Sequence, residues 1–101
     1  EVVALGVRSG IPAETVNQVL AGSSADSFLW RYQVPRMVAG NFVPGFSIDQ
    51  GHKDLTLASQ WAERLGMSLT MGSAAKNLFE IARRLGYGAA DTAALVKVRG
   101  T

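Results

Sequence analysis

One stretch of the chain, residues 46–66, constrains the fold more than any other because it carries a complete set of helix signals. Ser47 is followed three residues later by Gln50, and this capping-box spacing lets each side chain satisfy a free backbone N–H at the start of a helix. Gly66 can adopt the left-handed conformation that ends helices. Apolar residues recur between them at helical spacing, at Leu55, Ala58, Ala62 and Leu65, with Trp61 beside them. The pattern predicts a long amphipathic helix from Ser47 to Leu65 that packs on a core.

The rest of the chain carries helical periodicity broken by glycine and proline, without strand-like alternation of useful length. Pro35 is expected to interrupt the third helix and to leave a short helical turn over residues 35–39. The other predicted helices cover residues 1–9, 12–21, 28–34, 71–85 and a last segment for which Asp91 is the N-cap. The predicted inner faces comprise Val16, Val19 and Leu20; Phe28, Leu29 and Tyr32; Ala74, Leu78, Ile81, Ala82 and Leu85; and Ala94, Leu95 and Val98. The domain is therefore predicted to be all-α.

Length and composition exclude several classes of protein. A chain of 101 residues supports one hydrophobic core, and 48% hydrophobic with 18% charged residues describes a well-buried globular domain. No apolar run approaches the roughly 20 residues of a membrane span. The net charge is only +2 and the basic residues are scattered, which argues against nucleic acid as a partner. The absence of cysteine excludes disulfides and thiolate metal sites and fits a reducing compartment, so we expect a cytoplasmic protein.

The titratable residues give few candidates for catalysis. His52 is the only histidine, so neither a histidine-rich metal site nor a Ser/His/Asp triad is predicted, and a partly exposed helical histidine is the simpler interpretation. The charged residues Glu63, Glu80, Arg83 and Arg84 are interpreted as solvated charges on helix faces. We therefore predict no catalytic residue and no metal site within this chain.

Lys53 and the aromatic residues each allow two interpretations. Lys53 lies four residues after Asp49, so a solvated ion pair between them is the default. Its ammonium could instead donate hydrogen bonds to a carboxamide, a phosphate or a carboxylate near the start of the helix. The aromatic side chains are expected to lie in the core, with burial in an interface as the second choice; they are Trp30, Tyr32, Trp61 and Phe79.

Three motifs follow one another along the chain: Phe42-x-Pro44-x-Phe46, His52-Lys53-Asp54-Leu55-x-Leu57-Ala58 and Gly86-Tyr87-Gly88-x-x-Asp91-x-x-Ala94. In this order they resemble the C-terminal helical domain of the β-hydroxyacid dehydrogenases. This is the group of 3-hydroxyisobutyrate dehydrogenase, 2-hydroxy-3-oxopropionate reductase and threonate dehydrogenase, whose fold is like that of 6-phosphogluconate dehydrogenase. The segments 27–30 and 35–37 are also similar to the family, so the resemblance spans nearly the whole chain.

The resemblance implies that residues 1–101 form one domain of a two-domain NAD- or NADP-dependent enzyme. An N-terminal Rossmann domain would bind the dinucleotide, and hydride would pass between the nicotinamide and a small β-hydroxyacid. The family's catalytic lysine and asparagine lie on the long helix that joins the two domains. Neither a Gly-x-Gly-x-x-Gly turn nor a Lys-x-x-Asn motif in the right place occurs here, so we expect the chain to begin inside that helix and to be inactive alone.

The resemblance also assigns residues to the cofactor and the substrate. It implies that Lys53 contacts the cofactor near the nicotinamide and that Phe46 packs on the cofactor side, whereas Asp54 is structural. Ser23 and Ser24 match a polar turn close to the substrate pocket. Apolar helix faces would serve a homo-oligomer. The alternative hypothesis is a helical interaction or dimerisation module that reuses this fold without a catalytic role.

Overall fold

The computed structural model describes residues 1–99, except for the side chain of Arg99. Along this part of the chain five α-helices are followed by one 3-10 helix, and no β-strand occurs in it. The all-α prediction is therefore confirmed for the described residues. The helices are α1 (Val2–Arg8), α2 (Ala13–Ala21), α3 (Phe28–Ala39), α4 (Ile48–Arg64), α5 (Thr70–Arg84) and the 3-10 helix (Thr92–Arg99).

Helix α4 begins with the predicted capping box. The Ser47 hydroxyl accepts a bond from the Gln50 N–H at 3.1 Å, and the Gln50 side-chain oxygen accepts one from the Ser47 N–H at 2.9 Å. The helix ends at Arg64, with Leu65 as its C-cap, and Gly66 has a φ of +69°. These contacts involve neighbours in sequence only, which is why the helix could be predicted from its own residues.

The inner face of α4 is narrower than predicted. Ile48, Gly51 and Ala62 are buried, whereas Trp61 and Leu65 are 66% and 63% exposed. The prediction of a core position for Trp61 is therefore wrong. The buried strip faces α5, and at Gly51 an added Cβ would come within 2.4 Å of the Phe79 ring. Small residues thus let the two antiparallel helices approach closely, while the larger apolar residues lie outside the contact.

The predicted break at Pro35 does not occur, because α3 continues to Ala39 with Pro35 inside it. Proline removes the hydrogen bond to the carbonyl of Arg31, but both residues are exposed, so that carbonyl lies on the solvent side of the helix. Ser27 accepts a bond from the Trp30 N–H at 3.0 Å and caps the helix start. Gly40, at a φ of +66°, ends the helix.

The inner face predicted for α3 is also wrong. Phe28 and Leu29 are 86% and 65% exposed, while Gln33 and Val34 are buried and Trp30 is half-buried. In α2 the predicted face is right for Val16, which is buried and packs against Gly6 of α1, but Val19 is exposed. The prediction from periodicity placed only apolar residues on the inner faces, so it did not identify the polar Gln33 as a buried residue.

Two hydrophobic clusters make up the core, and Phe42 packs against both. The first contains Val3, Val34 and Val96, and the second contains Ile48, Ala82 and Ala94. The 3-10 helix contributes a buried residue to each cluster and packs against α1, α3, α4 and α5. The last segment therefore joins the α1–α3 half of the domain to the α4–α5 hairpin, and Ala94 lies on its inner face as predicted.

The fully buried carboxylate of Asp91 connects these parts. Its Oδ1 atom accepts bonds from the N–H groups of Gly45 at 3.0 Å and Phe46 at 3.1 Å, and its Oδ2 atom accepts one from the Ala93 N–H at 2.9 Å. The last of these is the predicted N-cap bond. The Arg36 guanidinium lies 3.5 Å from Oδ1. Burial by itself would raise the pKa of Asp91, but the three N–H donors and the Arg36 charge outweigh it and lower the pKa.

Backbone bonds reinforce the same junction. The N–H groups of Asp91 and Thr92 donate to the carbonyls of Phe42 and Phe46, both at 3.0 Å. In the other direction, the Ile48 N–H donates to the Ala90 carbonyl at 2.9 Å. The loop that precedes α4 is therefore held to the segment that precedes the 3-10 helix, and the position of the α4 start is fixed by residues far away in sequence.

Replacing Asp91 with Asn should destabilise the domain by about 2–4 kcal/mol, because an amide NH₂ cannot accept the backbone bonds and the Arg36 charge loses its partner. Urea denaturation followed by circular dichroism measures the change. The matched control is Asp54→Asn on the exposed side of α4, which should leave the free energy of unfolding nearly unchanged. Equal stability of the two variants would contradict the role assigned to Asp91.

The lowered pKa of Asp91 also predicts how stability depends on pH. In the unfolded chain an aspartate binds its proton near pH 3.9, whereas in the folded chain Asp91 does so at a lower pH. The unfolded state therefore binds more protons as the pH falls, and the stabilisation present above about pH 4 is lost on acidification through the folded pKa. Unfolding measured from pH 6 to pH 3 should show a shallower loss of stability for Asp91→Asn than for the wild type.

Candidate functional site

Lys53 lies on the exposed side of the second turn of α4. The predicted ion pair with Asp49 is not formed, because Asp49 Oδ1 instead accepts a bond from Arg83 Nε at 2.7 Å. Arg83 comes from the last turn of α5, which lies beside the first turn of α4. Among the described residues Lys53 has neither an ion pair nor a hydrogen-bonded side-chain partner. Its ammonium is thus available to another group.

Phe46 lies immediately before the α4 N-cap and is 41% exposed. Its N–H is bonded to Asp91 and its carbonyl accepts from Thr92, so its backbone is fixed from both sides. The ring borders an apolar opening of about 480 Å³ between α3, α5 and the 3-10 helix, which we call the α3–α5 crevice. Its other lining residues include Trp30, Gln33, Val34, Met37, Phe79, Thr92 and Leu95.

Ser23 and Ser24 lie exposed in the turn between α2 and α3. The Ser23 hydroxyl donates to the Leu20 carbonyl at 2.7 Å and accepts from the Ala25 N–H at 3.1 Å, so it stabilises the turn itself. This turn belongs to the α1–α3 half of the domain, whereas Lys53 belongs to the α4–α5 hairpin. The structure therefore places the residues predicted for substrate and for cofactor on different halves, with Phe46 in the segment between them.

A polar cleft of about 650 Å³ lies between the start of α4 and the end of α5. Within it, His52 Nδ1 is 3.1 Å from Arg83 Nη1 and His52 Nε2 is 3.4 Å from Glu80 Oε1. A neutral His52 that carries its proton on Nε2 can accept from Arg83 and donate to Glu80. The prediction that His52 is partly exposed is confirmed, since it is half-buried. The cleft is completed by Asp49, Arg84, Gly86, Gly88 and Ala89.

The sequence interpretation of Glu80 and Arg83 as solvated charges missed this network. Arg83 and Asp49 are 34 positions apart, and no local pattern in the sequence connects them. Gly88 gives the one indirect signal, because an added Cβ there would lie 2.5 Å from Asp49 Oδ1. The glycine motif near residue 88 thus leaves room for the Asp49 carboxylate.

Among residues 1–98 no three histidine, aspartate or glutamate side chains are grouped so that they could hold a metal ion. None of the described helices is both long and apolar enough to cross a membrane.

Comparison with known proteins gives matches along almost the whole chain. A family model described as NAD-binding of NADP-dependent 3-hydroxyisobutyrate dehydrogenase matches residues 1–99. A 2-(hydroxymethyl)glutarate dehydrogenase from Eubacterium barkeri is 33% identical over 99 residues, which are 97% of this chain and 33% of the relative. An L-threonate dehydrogenase from Escherichia coli is 32% identical over 98 residues, covering 97% of this chain and 32% of the relative.

The fold has a close counterpart among solved structures. A crystal structure of 3-hydroxyisobutyrate dehydrogenase from Salmonella typhimurium superimposes with a TM-score of 0.92 at 31% identity, over 95% of this chain and 34% of that one. The chain thus spans about a third of the length of the dehydrogenases that it matches.

The Asp49–Arg83 pair should contribute little to stability, because both side chains are about half exposed. Replacing Arg83 with Met is expected to lower the free energy of unfolding by about 1 kcal/mol or less. Arg84→Met is the matched control, since Arg84 is adjacent and has no ion pair among the described residues, and it should be neutral. Urea denaturation at low and high salt distinguishes the two, and a salt-independent loss at Arg83 would contradict the ion pair.

Proposed function

The chain belongs to the family described as NAD-binding of NADP-dependent 3-hydroxyisobutyrate dehydrogenase, and we propose that it is the helical domain of an NAD- or NADP-dependent oxidoreductase. The larger enzyme would transfer hydride between the nicotinamide and a small β-hydroxyacid. The observation that carries the proposal is the family match over residues 1–99, and the TM-score of 0.92 with a 3-hydroxyisobutyrate dehydrogenase supports it. In this proposal the domain follows a Rossmann domain and has the fold of the 6-phosphogluconate dehydrogenase C-terminal domain.

Lys53 is the residue of this chain to which we assign the cofactor contact. Its exposed ammonium has no acidic partner among the described residues, and it projects from the second turn of a helix whose start is fixed by capping and by the Asp91 junction. A positive charge on a rigid helix can donate hydrogen bonds to a carboxamide or a phosphate of a dinucleotide. The pairing of Asp49 with Arg83 supports this assignment, because it leaves Lys53 free.

Phe46 and the Ser23–Ser24 turn have secondary roles in the proposal. The Phe46 ring is partly exposed on a backbone with fixed position, which suits apolar packing against the cofactor side. Ser24 offers an exposed hydroxyl to a substrate carboxylate, while Ser23 holds the turn. The nicotinamide supplies the hydride chemistry when it is bound. The residues of this chain bind and orient, and none of them is assigned the acid–base step.

Exposed apolar side chains on α4 and α5 support association of copies of the enzyme. Leu57, Trp61 and Leu65 follow one another along α4 at four-residue spacing and are all more than half exposed. Met71 is exposed on α5, and Leu85 is exposed directly after it. A monomeric protein seldom leaves a row of large apolar side chains such as the one along α4 uncovered. The same observation favours the second candidate function, a helical interaction module without a catalytic role, and activity of the full-length enzyme distinguishes the two.

Lys53→Ala in the enzyme that unites this domain with its Rossmann domain should raise the KM for the nicotinamide cofactor about ten-fold, because the loss of one charge-assisted hydrogen bond is worth about 1.5 kcal/mol. Steady-state kinetics with varied cofactor measures the effect, and Lys53→Arg should recover part of it. Arg64→Ala is the control, since it removes a charge from the exposed last turn of the same helix and should leave the KM unchanged.

Unchanged kinetic constants in Lys53→Ala would contradict the role of Lys53 while leaving the family membership intact. The 101-residue chain alone should show neither tight dinucleotide binding nor turnover. Dehydrogenase activity of this chain by itself would contradict the proposal that the acid–base groups and the Rossmann fold lie elsewhere.

A further inference from the structure

Two basic side chains compete for the carboxylate of Asp49. Lys53 follows Asp49 by four residues on α4, and side chains at this spacing lie on one face of a helix within reach of each other. An acidic residue four positions before a lysine is also the more favourable order for a helix ion pair. Arg83 reaches the same carboxylate from α5, with its Nε atom 2.7 Å from Oδ1. In the structure Arg83 holds the aspartate and Lys53 does not.

Arg83 has an advantage over Lys53 because two side chains of α4 hold it. Its Nε atom donates to Asp49 while its Nη1 atom lies 3.1 Å from Nδ1 of His52. The His52 ring is half-buried, and its Nε2 atom lies 3.4 Å from Oε1 of Glu80. A guanidinium carries its donors in a rigid plane, so one arginine can make both contacts, whereas a lysine brings a flexible point charge. The network therefore favours the pair between helices over the pair within α4.

The segment after α5 fixes the Asp49 carboxylate further. The Asp49 N–H donates to the Gly88 carbonyl at 2.9 Å. A Cβ added at Gly88 would lie 2.5 Å from Oδ1 and 2.8 Å from Oδ2 of Asp49. The carboxylate therefore lies directly against the Gly88 backbone, in a place that a side chain at position 88 would close. Contacts outside α4 thus set the direction of this side chain.

We infer that Arg83 is a positioning residue for Lys53, because by pairing with Asp49 it prevents the Asp49–Lys53 pair and keeps the Lys53 ammonium available to the nicotinamide cofactor. The inference rests on the proposed function, since it uses the cofactor contact assigned to Lys53. Arg83 acts through Asp49 and is not assigned a contact with the cofactor. Without Arg83, the cofactor would have to displace Asp49 from Lys53 before it could bind. The effect is therefore on affinity and not on the hydride transfer.

The test measures cofactor binding in the enzyme that unites this domain with its Rossmann domain. The dissociation constant of NADH or NADPH, whichever the wild type binds, is obtained without substrate from the fluorescence of the reduced nicotinamide. Arg83→Met should raise this constant about two-fold, which is the strength of a helix pair at four-residue spacing, and should leave kcat unchanged. Arg84→Met removes a neighbouring charge that has no ion pair among the described residues, and it should leave the constant at the wild-type value.

A second substitution should rescue Arg83→Met. Asp49→Asn added to Arg83→Met should restore the wild-type dissociation constant, because a neutral amide no longer forms an ion pair with Lys53. The matched control adds Asp54→Asn instead. It removes the same charge from an exposed position next to Lys53, but adjacent residues of a helix do not face each other, so it should not rescue. A general effect of net charge would make the two rescues equal and would overturn the inference.

Lys53→Ala separates this inference from the proposed function. When Lys53 is already alanine, Arg83→Met should have no additional effect, because both changes act on the same contact. A wild-type dissociation constant in Lys53→Ala would contradict the cofactor role of Lys53 and this inference with it. Weaker binding in Lys53→Ala, together with wild-type binding in Arg83→Met or with no rescue by Asp49→Asn, would overturn the inference alone.

Discussion

The structure depends on one buried carboxylate that organises two segments distant in sequence. Asp91 accepts backbone bonds from Gly45, Phe46 and Ala93, and Arg36 lies beside it. Removing a charge from water is costly, and the cost is offset here only because several donors converge on the same two oxygens. The loop before α4 and the start of the 3-10 helix therefore have to be in place together. The positions of the side chains on α4 therefore depend on this junction.

The features predicted correctly from the sequence depend on neighbours along the chain. The α4 capping box and the glycine at its end involve residues within one turn of each other, so their pattern is visible in the sequence. The predictions that failed depend on contacts between residues that are distant in sequence. Pro35 remains inside α3 because its lost hydrogen bond faces solvent. Trp61 is exposed because the buried face of α4 is formed by Ile48, Gly51 and Ala62 and does not include it. Whether an apolar residue is buried depends on the partner helix, which periodicity does not identify.

The candidate site shows the same division. Lys53 is proposed on the basis of an ordered motif, and its turn of the helix can be placed from the capping signals alone. The absence of an ion-pair partner for Lys53 could not be predicted, because helix chemistry favours a pair with Asp49 at four-residue spacing. Arg83, which lies 34 residues further along the chain, pairs with Asp49 instead, so Lys53 has no ion-pair partner among the described residues. Gln33 was missed for a related reason, since a polar residue on an apolar face has meaning only when the residues around it are known.

The placement of the 3-10 helix has a consequence for biosynthesis. Val96 belongs to one hydrophobic cluster and Ala94 to the other, so the core of each half is completed by the same short segment. On the ribosome, α1 to α5 emerge before it, and each cluster lacks one of its buried residues until residues 91–96 leave the exit tunnel. The domain should then complete its folding in a single late step, and until that step the apolar surfaces of both halves are open to chaperones.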